Sequence, residues 1–255
     1  MGIGSRTHVV LIPSYNTGPK VLDTVRAALR YWEPVWVVVD GSTDGSATLL
    51  EALAREVGGL TVLVLPQNRG KGAAVLHGLR KAHAAGFSHV LTMDSDGQHP
   101  AESIREFMER SSIEPDALIL GLPVFDSSAP AIRVRGHKLS NWLANLESVG
   151  AGIGDSLFGM RVYPIPVLRR TMESTRWMRR FDFDPEAAVR LTWLGLKPVN
   201  LATPVRYFTK AEGGVSHFSY LRDNLLLSFM HLRLFGGCLI RLPRLLRRRA
   251  STSRR

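Results

Sequence analysis

The sequence predicts an α/β fold: a mixed, mostly parallel sheet with helices on both faces, continued by an apolar and basic C-terminal helix. Two observations carry this. Short continuous apolar runs alternate with helical patterns through the first half of the chain, as expected of strands buried on both faces. Polar or glycine-rich clusters follow the strands after short connections, and open α/β sheets bind ligands at those carboxyl ends.

The first strand is read over 8–13, where the apolar run Val9-Val10-Leu11-Ile12 begins almost at the terminus. Met1 to Thr7 lead directly into it. No long apolar region with a small-residue cleavage site precedes Pro13-Ser14-Tyr15-Asn16, so we expect a core strand here and not a secretory signal. Further strands are predicted over 35–40, 61–65, 89–94 and 117–120. Helices are predicted over 20–31, 45–57, 72–85 and 101–111. The second half is less regular. It reads as a helix near 135–146, a glycine-rich stretch over 150–154, a polar segment from Asp155 to Arg161, a helix over 184–194 and a strand near 199–207. From Ser216 a strongly apolar helical segment runs into an arginine-rich tail. No repeat or clear linker divides the chain, so 1–215 is taken as the α/β domain and 216–255 as its apolar and basic extension.

Composition supports one well-cored domain: 45% of the 255 residues are hydrophobic. The single cysteine, Cys238, excludes an internal disulfide framework and a multi-cysteine zinc site, and agrees with a reducing compartment. The net charge of +11 looks like a nucleic-acid signal until it is located. Eight arginines lie from Arg233 onward with no acid among them, and the rest of the chain carries 25 basic and 22 acidic residues. The excess belongs to the tail, and basic-aromatic interleaving is absent, so a nucleic-acid partner is excluded.

Asp94 and Asp96 are the strongest chemical signal. They end the apolar run Val90-Leu91-Thr92-Met93, so two carboxylates appear just as the chain leaves the sheet. Hard divalent cations take oxygen ligands, and Mg²⁺ typically uses one or two carboxylates plus substrate phosphates. Asn68-Arg69-Gly70-Lys71-Gly72 offers backbone amides and a helix start to an anion. A complete phosphate-loop pattern is absent, which argues against an ordinary nucleoside triphosphatase.

The segment Met93-Asp94-Ser95-Asp96-Gly97-Gln98-His99-Pro100 resembles the metal-binding segment of family 2 glycosyltransferases, in particular the polyprenyl-phosphate mannosyl- and glucosyltransferases. Further segments are similar to that family in the same order: Ile12-Pro13-Ser14-Tyr15-Asn16, Val39-Asp40-Gly41-Ser42-Thr43-Asp44-Gly45, Asn68-Arg69-Gly70-Lys71-Gly72-Ala73-Ala74 and Asp155-Ser156-Leu157-Phe158-Gly159-Met160-Arg161. The resemblance spans about residues 8 to 215 and implies the GT-A fold, a Rossmann-like mixed sheet that binds a nucleoside-diphosphate sugar.

The resemblance also implies roles. Pro13, Tyr15 and Asn16 would line the nucleotide pocket, Asp40 would hydrogen-bond base or ribose, and Ser95 would join the donor site. Asp94 and Asp96, with Gln98 as an additional contact, would hold Mg²⁺ or Mn²⁺ against the diphosphate. Plainer roles stand beside these. Asp40 is also placed to be a turn acid before a helix, Tyr15 to pack on the sheet edge, and Lys71 to stabilise its loop as readily as to touch the nucleotide. Ser42 and Asp44 read as helix-capping residues. One departure is Val39, where many members carry a second acid; a single carboxylate is left for nucleotide recognition.

Transfer would displace the diphosphate at the anomeric carbon through an oxocarbenium-like state, with inversion. A hydroxyl acceptor needs a general base, for which Asp155 is the first candidate and Asp184 the second. A lipid phosphate acceptor already carries its nucleophilic oxyanion. Arg135, with Ser140 and Asn141, occupies the spacing of the acceptor-phosphate group in the polyprenyl-phosphate enzymes; Arg133 and Arg135 also fit a solvated helix start. Asp182 and Glu186 read as acids at a helix N-terminus. His99 and His217 show no clear ligand partner.

The apolar stretch 225–240 contains Ser228, His231 and Arg233 and reads as too short to span a bilayer. Followed by Arg241, Arg244 and Arg247 to Arg249, it suits the anionic cytoplasmic membrane surface. The expectation is therefore a metal-dependent hexosyltransferase, peripheral on that surface. Its donor would be a UDP- or GDP-hexose and its acceptor lipid-linked, either a polyprenyl phosphate or a lipid hydroxyl. The competing reading is an inactive binding protein of the same fold, against which the intact Asp94, Asp96 and Asp155 speak.

Overall fold

A computed structural model describes residues 2–125, 129–205, 217 and 219–252. Strands are β1 (Ile3–Gly4), β2 (His8–Ser14), β3 (Trp32–Glu33), β4 (Val35–Asp40), β5 (Leu60–Leu65), β6 (His89–Thr92), β7 (Leu118–Phe125), β8 (Arg161–Pro164) and β9 (Pro198–Val205). Helices are α1 (Lys20–Tyr31), α2 (Ser46–Glu56), α3 (Lys71–Ala84), α4 (Ile104–Ile113), α5 (Ala131–Glu147), α6 (Ile165–Glu173), α7 (Phe183–Leu194) and α8 (Tyr220–Thr252). Seven strands form one sheet in the order β5-β4-β2-β6-β8-β7-β9. β8 runs antiparallel to both neighbours and the other pairings are parallel.

The sheet is buried because its strands are apolar on both faces. Val9 and Leu11 pack into one core layer with α3, α6, α7 and α8, while Val10 and Ile12 pack into the other with α1, α2 and α4. All four side chains are fully buried. Each such burial is worth about 1.5–3 kcal/mol of transfer free energy.

Expected and observed elements differ in instructive places. The N-terminus is not all one strand: Ile3 and Gly4 pair with Trp32 and Glu33 in a separate two-stranded ribbon, and the core strand begins at His8. The strand expected over 89–94 ends at Thr92, which leaves Asp94 in a turn. β8 and α6 were not expected. β8 begins with an arginine and ends with a proline, which masks a fully buried strand. In α6, Pro166 sits in the first turn, where its missing N–H costs nothing. The last two positions of the strand expected over 199–207 lie outside the described residues.

α8 is longer than expected. Its 33 residues run without a break past Pro243, a length of about 50 Å at 1.5 Å per residue. By length and composition one helix in this stretch suffices to cross a membrane, although only 22% of its most apolar window is buried. Met230, Leu234, Cys238 and Leu245 face the core beside α5 and α7, while Leu225, Leu232, Phe235, Leu239 and Ile240 are exposed.

The basic residues of α8 also have internal work, contrary to a purely outward-facing tail. Arg233 Nη2 lies 2.8 Å from Glu186 Oε2, and Glu186 is fully buried and also paired with Arg190 at 2.7 Å. Glu186 is therefore the centre of an ion-pair cluster and not an exposed helix-start acid. Arg248 donates to Trp193 O at the end of α7 and Arg249 to Val149 O just beyond α5. Cations at helix C-termini complement the carbonyl end of the dipole. His231 Nδ1 lies 2.8 Å from Glu147 Oε1, tying α8 to α5.

Candidate functional site

A cavity of about 1570 Å³ opens beyond the carboxyl ends of β2, β4 and β6 and extends between α5 and α8. At its polar end stand Pro13, Tyr15, Asp40, Lys71, Asp94, Ser95, Asp96, Gln98 and Asp184. Its other wall mixes apolar side chains, Leu139 and Leu143 of α5 and Leu227, Leu232 and Phe235 of α8, with polar ones that include Arg133, His137, Glu147, Arg222 and His231.

The polar end is organised around Lys71, the first residue of α3. Its Nζ lies 2.6 Å from Asp94 Oδ1 and 2.7 Å from Asp184 Oδ2. Burial alone would lower the lysine pKa, but the two carboxylates outweigh it and hold the ammonium above its ordinary range. Burial likewise opposes ionisation of Asp94, and Lys71 reverses the balance, so the carboxyl lies below its ordinary value. For Asp96 the nearby charges of Lys71 and Lys20 weigh less. Burial, and then the charge of Asp94, push it up to about 6, although Gln98 N–H donates to its Oδ1 at 3.0 Å.

That pattern fits a hard cation. Asp94, Asp96 and the Gln98 side-chain amide bring oxygen donors to one segment at the cavity's polar end. Among the described residues no three His, Cys, Asp or Glu side chains converge as a complete metal cage. A cation here would thus take further oxygens from a phosphate ligand.

His99 holds this turn. Its Nδ1 accepts the Asp94 N–H at 3.0 Å, its Nε2 is 3.7 Å from Asp94 Oδ2, and its ring meets Phe158 edge-on at 4.5 Å. Burial brings its pKa down to about 4, so it is a neutral buttress. Ser95 Oγ bonds Thr17 Oγ1 at 2.9 Å, which joins the turn to the loop after β2. Tyr15 packs against the ring of His217 at 5.2 Å, and His217 Nε2 reaches Asn16 O.

Several predicted roles change. Asp40 accepts the N–H groups of Arg69 and Gly70 at 2.9 and 2.7 Å, one on each oxygen. The amides expected to approach an anion are therefore already bonded to this carboxylate. Gly41 explains how closely the two loops meet: at φ +66° a Cβ would lie 2.3 Å from Asn68 N. Asn16 does not line the cavity; its Oδ1 accepts Thr43 N–H at 2.8 Å and its own N–H goes to Ser42 Oγ. Asp44 accepts both the N–H and the hydroxyl of Ser46 at the start of α2, and Asp182 accepts the N–H groups of Met178 and Arg180 before α7.

Arg135 is exposed and off the cavity, whereas Arg133 and Gly136 line it. Residues two apart on a helix point about 200° apart, so the packing of α5 selects one arginine over the other. Asp155, the first candidate base, is also corrected. It is 1% exposed, does not line the cavity, and accepts from His137, Asn141, Leu157 N–H and Phe158 N–H. Burial works against its charge, but these donors prevail and keep its pKa below the ordinary value. A carboxylate so satisfied is a weak base and a good anchor. Asp184, by contrast, lines the cavity with a buried Oδ1 that has no hydrogen-bond partner among the described residues.

The segment 155–161 is a knot beneath the site. Gly159 leaves room where a Cβ would sit 2.7 Å from Asp94 Oδ2 and 2.8 Å from Lys71 Nζ. Arg161, fully buried, donates to the carbonyls of Phe158, Asp184 and Asp155. Sequence reasoning missed His137, on the cavity wall, and the part of α8 in that wall. An aromatic base one turn before Asn141 in an otherwise exposed helix was the available signal for His137.

Known proteins resemble this chain in both sequence and shape. The family model described as Glycosyl transferase family 2 matches residues 9–174. An undecaprenyl-phosphate 4-deoxy-4-formamido-L-arabinose transferase of Pseudomonas fluorescens is 30% identical over 161 residues, covering 60% of this chain and 46% of that protein. Polyprenol monophosphomannose synthase of Mycolicibacterium smegmatis is 29% identical over 227 residues, covering 83% and 80%. The chain spans less than half the length of the arabinose transferase. Among solved structures, S. aureus TarS 1-349 in complex with UDP-GlcNAc superposes with a TM-score of 0.58 at 17% identity, covering 96% of this chain and 73% of that one. At that identity the likeness is one of fold.

Proposed function

This chain belongs to glycosyl transferase family 2, and we propose that it transfers a hexose from a nucleoside-diphosphate sugar to a lipid-linked acceptor at a membrane surface. The observation that carries the reading is one cavity with two unlike ends. A carboxylate turn with Lys71 stands at one end, and at the other the α5 and α8 wall sets Leu139, Leu143, Leu227, Leu232 and Phe235 among polar and basic side chains, as an amphiphilic acceptor requires.

The donor diphosphate would meet Asp94, Asp96 and Gln98 through Mg²⁺ or Mn²⁺, with Ser95, Pro13, Tyr15 and Asp40 around the nucleotide. The cation would neutralise charge developing on the departing diphosphate. Asp40 keeps the loop before α3 in place, and that loop presents Lys71. Asp184 holds Lys71 from the far side, and so helps to fix the ammonium that Asp94 also binds. Attack from the face opposite the diphosphate would invert the anomeric centre.

The names of the M. smegmatis and P. fluorescens relatives support a lipid-linked acceptor. We read 1–215 as the transferase domain and 216–255 as its membrane-facing extension on the cytoplasmic side. The exposed apolar residues of α8 support this, together with Arg244 and Arg247, whose side chains are exposed.

The test is a donor screen. The full chain is incubated with UDP- and GDP-hexoses and membrane lipid extract, with Mg²⁺, Mn²⁺ or chelator, while nucleotide release and lipid glycosylation are followed. Metal-dependent release with a glycosylated lipid is expected. Nucleotide-sugar binding without release under every condition would overturn the enzymatic reading in favour of a binding protein.

A further inference from the structure

His137 and Asp155 form a pair that the donor end of the cavity does not use. His137 stands on α5, lines the cavity and is 15% exposed at its side chain; its Nδ1 lies 2.7 Å from Asp155 Oδ2. Asp155 is fixed by further hydrogen bonds from Asn141 Nδ2, Leu157 N–H and Phe158 N–H. An ionised carboxylate only accepts, so Nδ1 of the imidazole carries a hydrogen, and in the neutral ring Nε2 then carries the lone pair. Phe125 meets the ring edge-on at 5.2 Å and 78°, holding its plane. Nε2 has no hydrogen-bond partner among the described residues. A cavity-wall imidazole oriented by a buried carboxylate, with its second nitrogen free, has the geometry of a general base.

Resting on the glycosyl-transfer reading, we infer that His137 takes the proton of the attacking group, and that this group is a hydroxyl on a lipid-linked molecule and not a lipid phosphate. The acceptor oxygen bonds to the anomeric carbon while the bond from that carbon to the diphosphate oxygen breaks. That electron pair departs with the nucleoside diphosphate, and the hydroxyl proton passes to His137 Nε2. The resulting imidazolium is paired with Asp155, which stays ionised and acts as a positioning residue. A phosphate acceptor supplies its own oxyanion and needs no such base. Arg135, expected to gather a phosphate, lies off the cavity, although Arg133, Arg180 and Arg222 line it. The two acceptor classes therefore have to be compared directly.

The comparison uses two probes that share one chain, dodecanol and dodecyl phosphate, presented in detergent with the full-length protein, metal and a donor that it binds. Wild type is expected to glycosylate dodecanol, and His137→Gln to lower that kcat by about 100-fold or more with donor affinity and melting temperature unchanged. Slow donor hydrolysis, in which water is the acceptor, should fall alongside it. Asp155→Asn should lower kcat with little change in the donor KM. Equal glycosylation of dodecyl phosphate by wild type and His137→Gln would overturn the inference, as would donor hydrolysis unaffected by His137→Gln. Wild type that binds no nucleotide sugar at all would instead remove the glycosyl-transfer reading beneath it.

Discussion

Lys71 Nζ lies 2.7 Å from Asp184 Oδ2, so the first residue of α3 is bound to the first turn of α7 across the floor of the cavity. The same ammonium touches Asp94, and the side chains of Lys71 and Asp184 are 13% and 5% exposed. Three charges thus share a small volume, and removing the lysine takes from both carboxylates the ammonium that each contacts directly.

Lys71→Met should therefore destabilise the fold by about 3 kcal/mol, because truncating one partner of a buried ion pair leaves the other uncompensated. Urea unfolding of Lys71→Met, Asp184→Asn and the double variant measures this. The double variant should recover part of the loss, since it no longer buries a lone Asp184 charge. Purely additive losses would mean that the two side chains do not interact.

Gly159→Ala places a methyl within van der Waals overlap of both Asp94 and Lys71. The ion pair has to part or tilt, and a misplaced catalytic group costs rate steeply, about 100-fold for 1 Å. Metal-stimulated nucleotide release should drop on that scale in the variant while its melting temperature stays within a few degrees of wild type. Full activity would show that the Lys71–Asp94 contact is dispensable for turnover.

His8 governs part of the acid stability. Register sets it beside His89 on the adjacent parallel strand, and the rings stack at 4.5 Å. Burial, then the charge of His89, bring its pKa from 6.5 down to about 4. The folded state resists a proton that the unfolded chain accepts, so this stability is complete above pH 6.5 and is lost as pH falls toward 4. Melting temperatures from pH 7.5 to 4.5 should fall more steeply for wild type than for His8→Gln. Parallel curves would remove His8 from the acid transition.

Membrane attachment should depend on only some of the tail arginines. Arg248 and Arg249 bond carbonyls at the ends of α7 and α5, while Arg244 and Arg247 are exposed. Arg244→Gln/Arg247→Gln should weaken binding to phosphatidylserine-containing vesicles by about 30-fold, at about 1 kcal/mol per lost charge, and hardly alter binding to neutral vesicles. Unchanged sedimentation with anionic vesicles would rule out an electrostatic role for this pair.

The chain made much of its first half legible. Continuous apolar runs such as Val35 to Val39 place the starts of β2, β4, β5, β6 and β7 to within one residue, although β7 runs on to Phe125 and not Leu120, and α1 and β4 have the expected boundaries. β8 escaped because its pattern is four residues long and opens with a buried arginine. The full extent of α8 escaped because Pro243 reads as a stop, yet the helix continues past it. At the site, the Asp94–Asp96 turn could be read directly, since strand end and acids are consecutive. The hydrogen-bond partners of Asp155 could not, because they come from α5 and from its own loop.

By itself, then, the sequence determined the alternating sheet, the acidic turn at its edge, the family to which the motifs belong and the charge asymmetry of the tail. Each is a matter of neighbours along the chain. Tertiary structure alone decided that Lys71 answers Asp94 and Asp184, that Asp40 binds a loop, that Arg133 and not Arg135 faces the cavity, and that Asp155 is hydrogen-bonded to His137 on the cavity wall. These outcomes depend on how helices are rotated and packed over the sheet, and a side chain's partner is set by that packing, which local periodicity does not encode.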